Sequence, residues 1–190
     1  MMELLALWKP ILLSAALVFV ASSIIWMALP IHKNDYKGPG DKEEGLIAAL
    51  RTAGLSPGVY YLPWCGQQNP NDPAVRAKLS AGPWALLSVQ PGPPNMGKML
   101  GAWFTHLLIV SVFVAYVAAN SGMGDKAPYL EVFRLAGTTA LLAHAGYAMP
   151  MSIWHGLPWS HLPGRVFDGV VYALLTAGSF AWLWPRVAAG

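Results

Sequence analysis

Residues 11–29 read ILLSAALVFVASSIIWMAL, a run with no charged side chain, closed on either side by Pro10 and Pro30. A helix rises about 1.5 Å per residue and satisfies its own backbone polar groups, so about 18 such residues cross the roughly 30 Å hydrocarbon layer of a bilayer. Three later stretches share this apolar character: residues 99–119, 129–149 and 166–184. Their ends carry the expected punctuation, with Asn120 and Gly122, then Pro150, then Pro163 before the last stretch and Pro185 after it. Trp8, Trp26, Trp103, Trp182 and Trp184 fall near these ends, where an amphipathic ring sits at the level of lipid headgroups.

The pattern predicts an all-α membrane protein, a four-transmembrane-helix bundle with both termini on one side. Phe19-Val20-Ala21 offers a small residue for cleavage of a secretory signal. The apolar sequence continues through Ile24, Ile25 and Trp26, however, beyond the ~7–15 residues of a signal core. The first segment therefore reads as an anchor.

Composition agrees. Of 190 residues, 55% are hydrophobic and 11% charged, less than half the ~25% charged content of soluble domains. Too little charge is present to cover a soluble globule of this size. The formal charge of +3 comes from scattered residues, several of them flanking the apolar runs, which suits a lipid bilayer with anionic headgroups and no nucleic acid. Cys65 is the one cysteine and cannot form a disulfide within the chain.

The expected organisation is an amino-terminal tail and first span (1–30), an extramembrane segment (31–98), and three further spans with an interfacial loop at 150–165 (99–190). Basic residues give little bias in orientation: Lys33, Lys37, Lys42, Lys98 and Arg165 flank one face, and Lys9, Lys126, Arg134 and Arg186 the other. Three lysines trail the first span and only Lys9 precedes it, so residues 31–98 are assigned to the cytoplasmic side of a cell inner membrane.

The long segment has a pattern of its own, expected to form a small α/β insertion between spans one and two. Asp41 with Glu44 has the form of a capping box ahead of Leu46, Ile47 and Leu50, and Gly54 marks a helix stop. Val59 to Leu62 and Ala85 to Val89 are rich in strand formers, and Asp72-Pro73 opens a short helix between them. Strand, helix and strand predict a parallel pair joined by a right-handed crossover. A unit this small buries little core and should lean on the membrane domain, a second copy or another subunit. Gln90 to Asn95 contains three prolines and reads as a stiff link.

Four spans would gather all five histidines on one face: His32 after the first, His106 inside the second, His144 near the end of the third, and His155 and His161 in the last connector. His106 and His144 would lie at matching depth, roughly 8–11 Å below the rim by helical rise. Two imidazoles so placed could hold a haem, a chlorin or a metal ion, with His155 and His161 as further candidate metal ligands. An imidazole near an interface can equally serve only in hydrogen bonds between helices or to headgroups. Arg165 with Asp168, and Glu131 with Arg134, stand three apart and are expected to form local ion pairs. Gly169, Ala173 and Ala177, and Ala136 and Ala140 ahead of His144, form small-residue stripes for close helix packing. The tandem WHGLP and WSHLP at 154–163 reads as an irregular interfacial loop or a lid over His106 and His144.

No phosphate loop, dinucleotide fingerprint, Gly-x-Ser-x-Gly elbow, His-Glu-x-x-His or Cys-x-x-Cys is present, so no reaction is identified. In general character the chain is similar to small four-span bacterial inner-membrane proteins, with no specific motif carrying that likeness. The expected function is a non-catalytic accessory or assembly subunit of a larger membrane complex, with other membrane subunits or a second copy as partners. The alternative is a small redox or cofactor-binding protein that uses His106 and His144 as ligands.

Overall fold

The computed structural model describes residues 4–185, and Arg186, one of the basic residues weighed for orientation, lies outside them. The fold is mostly helical with one two-stranded sheet, and it divides into two units: residues 1–36 with 95–190, and residues 37–94.

In the first unit the apolar runs form α1 (Trp8–Met27), α4 (Met96–Ala119), α5 (Tyr129–Ala145) and α7 (Leu162–Trp182), with a short α6 (Ala148–Trp154) before α7. Between α1 and α4, in the second unit, stand α2 (Glu43–Ala53) and α3 (Pro73–Ala81). Prolines expected to bracket helices instead open them. Pro10 and Pro163 lie in the first turns of α1 and α7, where a missing N–H costs nothing. The third apolar stretch ends at Ala145, before the expected Met149, and restarts as α6. Pro150 explains the break, since it cannot donate to the Gly146 carbonyl but fits the first turn of a new helix. The connector at 150–165 is thus partly helical, with a 3-10 turn at Trp159–His161, where an irregular loop was expected. α4 starts at Met96 because the Asn95 side chain accepts from the Lys98 N–H at 3.0 Å.

The four long helices pack as a closed ring in which α1 meets α4, α4 meets α5, α5 meets α7, and α7 returns to α1. The α5–α7 contact is the most extensive. Its two small-residue stripes meet, with Ala136, Ala140, Ala173 and Ala177 all buried. A Cβ added to Gly169 would come 2.6 Å from the Ala145 Cβ, and one added to Gly137 would come 3.1 Å from that of Ala177. Across the α1–α4 contact, the buried Ser14 and Ser111 hydroxyls bond at 2.9 Å. The outside of the ring is apolar: Leu12, Val20, Ile24, Ile109, Phe113 and Leu174 are all exposed. Two helical segments, Leu4–Met27 and Met96–Ala119, are long and apolar enough to cross a membrane, with mean hydropathy 2.1 and 1.9. α5, at 17 residues, and α7, which carries Arg165 and Asp168 near its start, do not meet that criterion.

In the second unit α2 closes on Gly54, whose φ of 58° is the left-handed conformation that glycine adopts without strain. The expected capping box is absent. A 3-10 turn at Gly40–Lys42 runs directly into α2, so Asp41 lies inside that turn and Lys42, with no side-chain bond, occupies the cap position. At α3 the cap is as read, with Asp72 accepting from the Ala74 N–H at 2.8 Å. The strands β1 (Gly58–Leu62) and β2 (Ala85–Val89) pair antiparallel, with Leu62 opposite Ala85 and Gly58 opposite Val89. This corrects the parallel crossover. Lys78 donates to the Trp64 carbonyl at 2.6 Å and Trp84 to the Leu79 carbonyl at 2.7 Å. Trp64 follows β1 and Trp84 precedes β2, so both bonds tie α3 to the same end of the sheet and the chain re-enters where it left.

Replacing Gly169 by Val drives a side chain into the Ala145 backbone and should destabilise the purified protein by about 1–3 kcal/mol. Gly178→Ala, where a Cβ meets nothing within 4 Å, should leave stability unchanged or slightly raised. Thermal unfolding in detergent checks both, and equal effects would show that the α5–α7 spacing does not limit stability.

Candidate functional site

The most highly connected polar group in the helical unit is His32, in the 3-10 turn that follows α1. Its ring stacks on Trp26, centroids 3.9 Å apart and planes 3° from parallel. Nδ1 bonds to Asp35 at 2.8 Å, and Nε2 to Asp168, 3.1 Å from one carboxylate oxygen and 3.0 Å from the other. The indole of Trp26 donates to Asp168 at 3.1 Å. His32 is 7% exposed and Asp168 6%. Gly164 leaves room for the ring, since a Cβ there would come within 3.1 Å of His32 Cε1.

Burial opposes charging of the imidazole, but the hydrogen bonds to Asp35 and Asp168 and the negative charge of both carboxylates outweigh it. The His32 pKa is therefore raised above its ordinary value of 6.5. An imidazolium with both nitrogens donating to carboxylates is the form this geometry accommodates.

Here the structure corrects one expected ion pair. Asp168 faces His32 and Trp26 rather than Arg165, because the α1-facing side of α7 is the buried one. The Arg165 Nε is buried without a hydrogen-bond partner. Among the described residues the ion pairs are the two of His32, so Glu131 and Arg134 do not pair either. Sequence reasoning passed over His32 as a residue merely trailing the first span. No local signal could have found its partner, which lies 136 positions away.

The structure does bring His106 and His144 together. Their ring centroids are 6.5 Å apart with planes at 78°. They meet although their positions along the helices differ from those expected. α4 begins three residues earlier than read and α5 ends four residues earlier, so the first turns of α4 extend past the end of α5. Trp103 stacks on His106 at 5.4 Å and Tyr172 meets His144 at 5.4 Å. The Trp103 indole donates to the Ser22 hydroxyl at 3.0 Å. Tyr172 lies beside Ser22 and Trp26, so the two histidine clusters share α1 and α7 as one continuous polar and aromatic seam. His106 is exposed on one side, and His144 is half-buried.

The other two histidines stand apart. His155 bonds the Tyr147 hydroxyl through Nε2 at 3.2 Å, and the His161 Nδ1 is buried without a partner. Among the described residues no group of three or more His, Cys, Asp or Glu could hold a metal ion. Cys65 is a free thiol in the second unit.

Comparison of the chain with protein families, curated proteins and solved structures returns no match.

The His32 cluster sets a pH dependence. Because its folded-state pKa lies above the unfolded value near 6.5, the stabilisation is complete below about pH 6.5. It is lost as pH rises through the raised value. The melting temperature should therefore fall as pH rises above about 6.5, and Asp168→Asn should flatten that slope. Histidine NMR titration against an Asp168→Asn control reads it directly, and a His32 that titrates at or below 6.5 would refute the assignment.

Proposed function

We propose that the chain is a multi-pass inner-membrane protein whose four long helices all cross the bilayer, and that it serves as a non-catalytic accessory or assembly subunit of a larger membrane complex. Support for the membrane part comes from the two bilayer-length helices and the apolar exterior of the ring. α5 and α7 complete the ring that those two begin, and the short α5 is accommodated by local thinning or by its neighbours.

One observation carries the subunit reading. Within residues 37–94 the only buried residue is Val75. Leu46, Ile47 and Leu50 form one face of α2 and are 52%, 39% and 41% exposed. Val59, Tyr61 and Leu86 share one face of the sheet and are exposed as well. Ordering a residue costs about 1–2 kcal/mol of backbone entropy, and a single buried valine cannot offset that over the whole unit. A surface supplied by another subunit does so, and exposed apolar faces of this kind mark such contacts.

The test is solubilisation in mild detergent followed by mass measurement. The full chain should run within an assembly larger than its own 20.4 kDa plus detergent. The combined Leu46→Asp, Ile47→Asp and Tyr61→Asp variant should be released from it while remaining in the membrane pellet. A monomeric wild-type chain whose 37–94 amides are protected from hydrogen exchange would rule the reading out.

The meeting of His106 and His144 favours a second reading, a haem, chlorin or metal site. An ion about 2 Å from one nitrogen of each ring spans their separation. A visible band or bound metal in the purified protein, lost in His106→Ala and in His144→Ala, would support it. A colourless, metal-free protein would dismiss it.

A further inference from the structure

On the side of the ring away from the histidine seam's α1–α4 contact, α5 and α7 leave an open groove of about 220 Å³. Its walls are apolar: Phe133, Leu141, Val170 and Leu174, with Gly137 and Ala173 between them. Arg134 stands at one end, five residues after the start of α5. By helical rise its Cα lies about 7–8 Å inside that helix end, and the groove follows α5 for roughly another 10 Å to Leu141.

The guanidinium has no carboxylate partner among the described residues, and Glu131, one turn earlier, makes no ion pair with it. A permanently charged fork at the head of an apolar trough matches one kind of occupant by charge and by shape. The occupant carries an anionic head that a guanidinium can bind with two parallel hydrogen bonds, and a hydrocarbon tail continuous with it. Arginine near a helix end in a bilayer reaches towards the headgroup layer, which sets its charge at phosphate height.

We propose that this groove binds one anionic phospholipid, with the phosphate on Arg134 and an acyl chain lying between α5 and α7. The inference rests on the membrane reading above. The groove exists because Gly137 and Ala173 lack bulk, so the same small residues that let the helices approach also make the trough. Thr138 lies on its open lip and is exposed, which gives a place to block the groove without disturbing helix packing.

The experiment uses the full chain in neutral detergent, titrated separately with phosphatidylglycerol, phosphatidylcholine and inorganic phosphate. Native mass spectrometry counts bound lipid and thermal unfolding reports its effect. Wild type should retain one phosphatidylglycerol and be stabilised by it, with binding at least about tenfold tighter than for phosphatidylcholine. Arg134→Gln should abolish that preference while unfolding normally without lipid, Arg134→Lys should keep part of it, and Thr138→Trp should lose binding with the arginine intact. Equal retention of both lipids, an unaltered preference in Arg134→Gln, or stabilisation by inorganic phosphate alone would each overturn the proposal. Alkaline extraction of native membranes separates the two failures. A chain that stays in the pellet but shows no lipid preference sinks only the lipid site, and one that washes out sinks the membrane reading with it.

Discussion

The bundle depends on how closely α5 and α7 approach, and side chains that are nearly absent set that distance. Gly169 lies against the Ala145 backbone and Gly137 against Ala177. On the membrane reading, burial of apolar surface between the helices brings little, because the surroundings are as apolar as the contact. What remains is van der Waals packing, which improves as backbones come together, and a few hydrogen bonds such as Ser14 to Ser111. The close approach also fixes the azimuth of α7. With Gly169 turned towards α5, the preceding residue, Asp168, and Tyr172 one turn later are presented to the seam where His32, Trp26 and His144 wait.

Burying charges at that seam is costly unless each is answered. Asp168 is answered twice, by the His32 imidazole and the Trp26 indole, and His32 is answered on both nitrogens. Removing any one partner leaves a buried polar group one hydrogen bond short, so the cluster acts as a unit and ties the segment after α1 to the start of α7. The His106–His144 pair is different in kind. Its neighbours are aromatic rings rather than anions, and one of its members is exposed. Of the two histidine clusters, one is electrostatically closed and the other is open.

How far the sequence could be read follows from the range of each interaction. Asp72 as a cap, Gly54 as a stop and the strand at Ala85–Val89 depend on neighbours a few residues away and fold as read, and the apolar runs become helices with shifted ends. The small-residue stripes were legible because a period of four is a surface property of one helix. Strand direction was not, since a helix between two strands permits either sense and the choice turns on the Lys78 and Trp84 side-chain bonds. The His32–Asp168 contact was invisible for the same reason, and the local rule that three-apart charges pair pointed Asp168 to the wrong partner. His106 and His144 were found by counting from predicted helix ends. Both ends were misplaced by a few residues, and the pairing survived because neighbouring helices fix contacts over whole turns rather than single residues.

The two units pose opposite physical problems. In the helical unit, polar groups are scarce, and most of the buried ones are satisfied by backbone carbonyls or by one another. In residues 37–94 apolar groups are plentiful and nearly all are left open. Local signals mark α2 and each of the two strands, but an 11-residue helix is marginal alone and a two-stranded sheet is scarcely stable in water. Their apolar faces are patterned correctly for burial, on one side of a helix and one side of a sheet, yet within residues 37–94 only Val75 is buried. On the subunit reading, the partner supplies the core that receives them, so docking and ordering of this unit are thermodynamically one event. The binding energy of the complex is then also the folding energy of the segment, which couples assembly of the larger structure to the shape of this one.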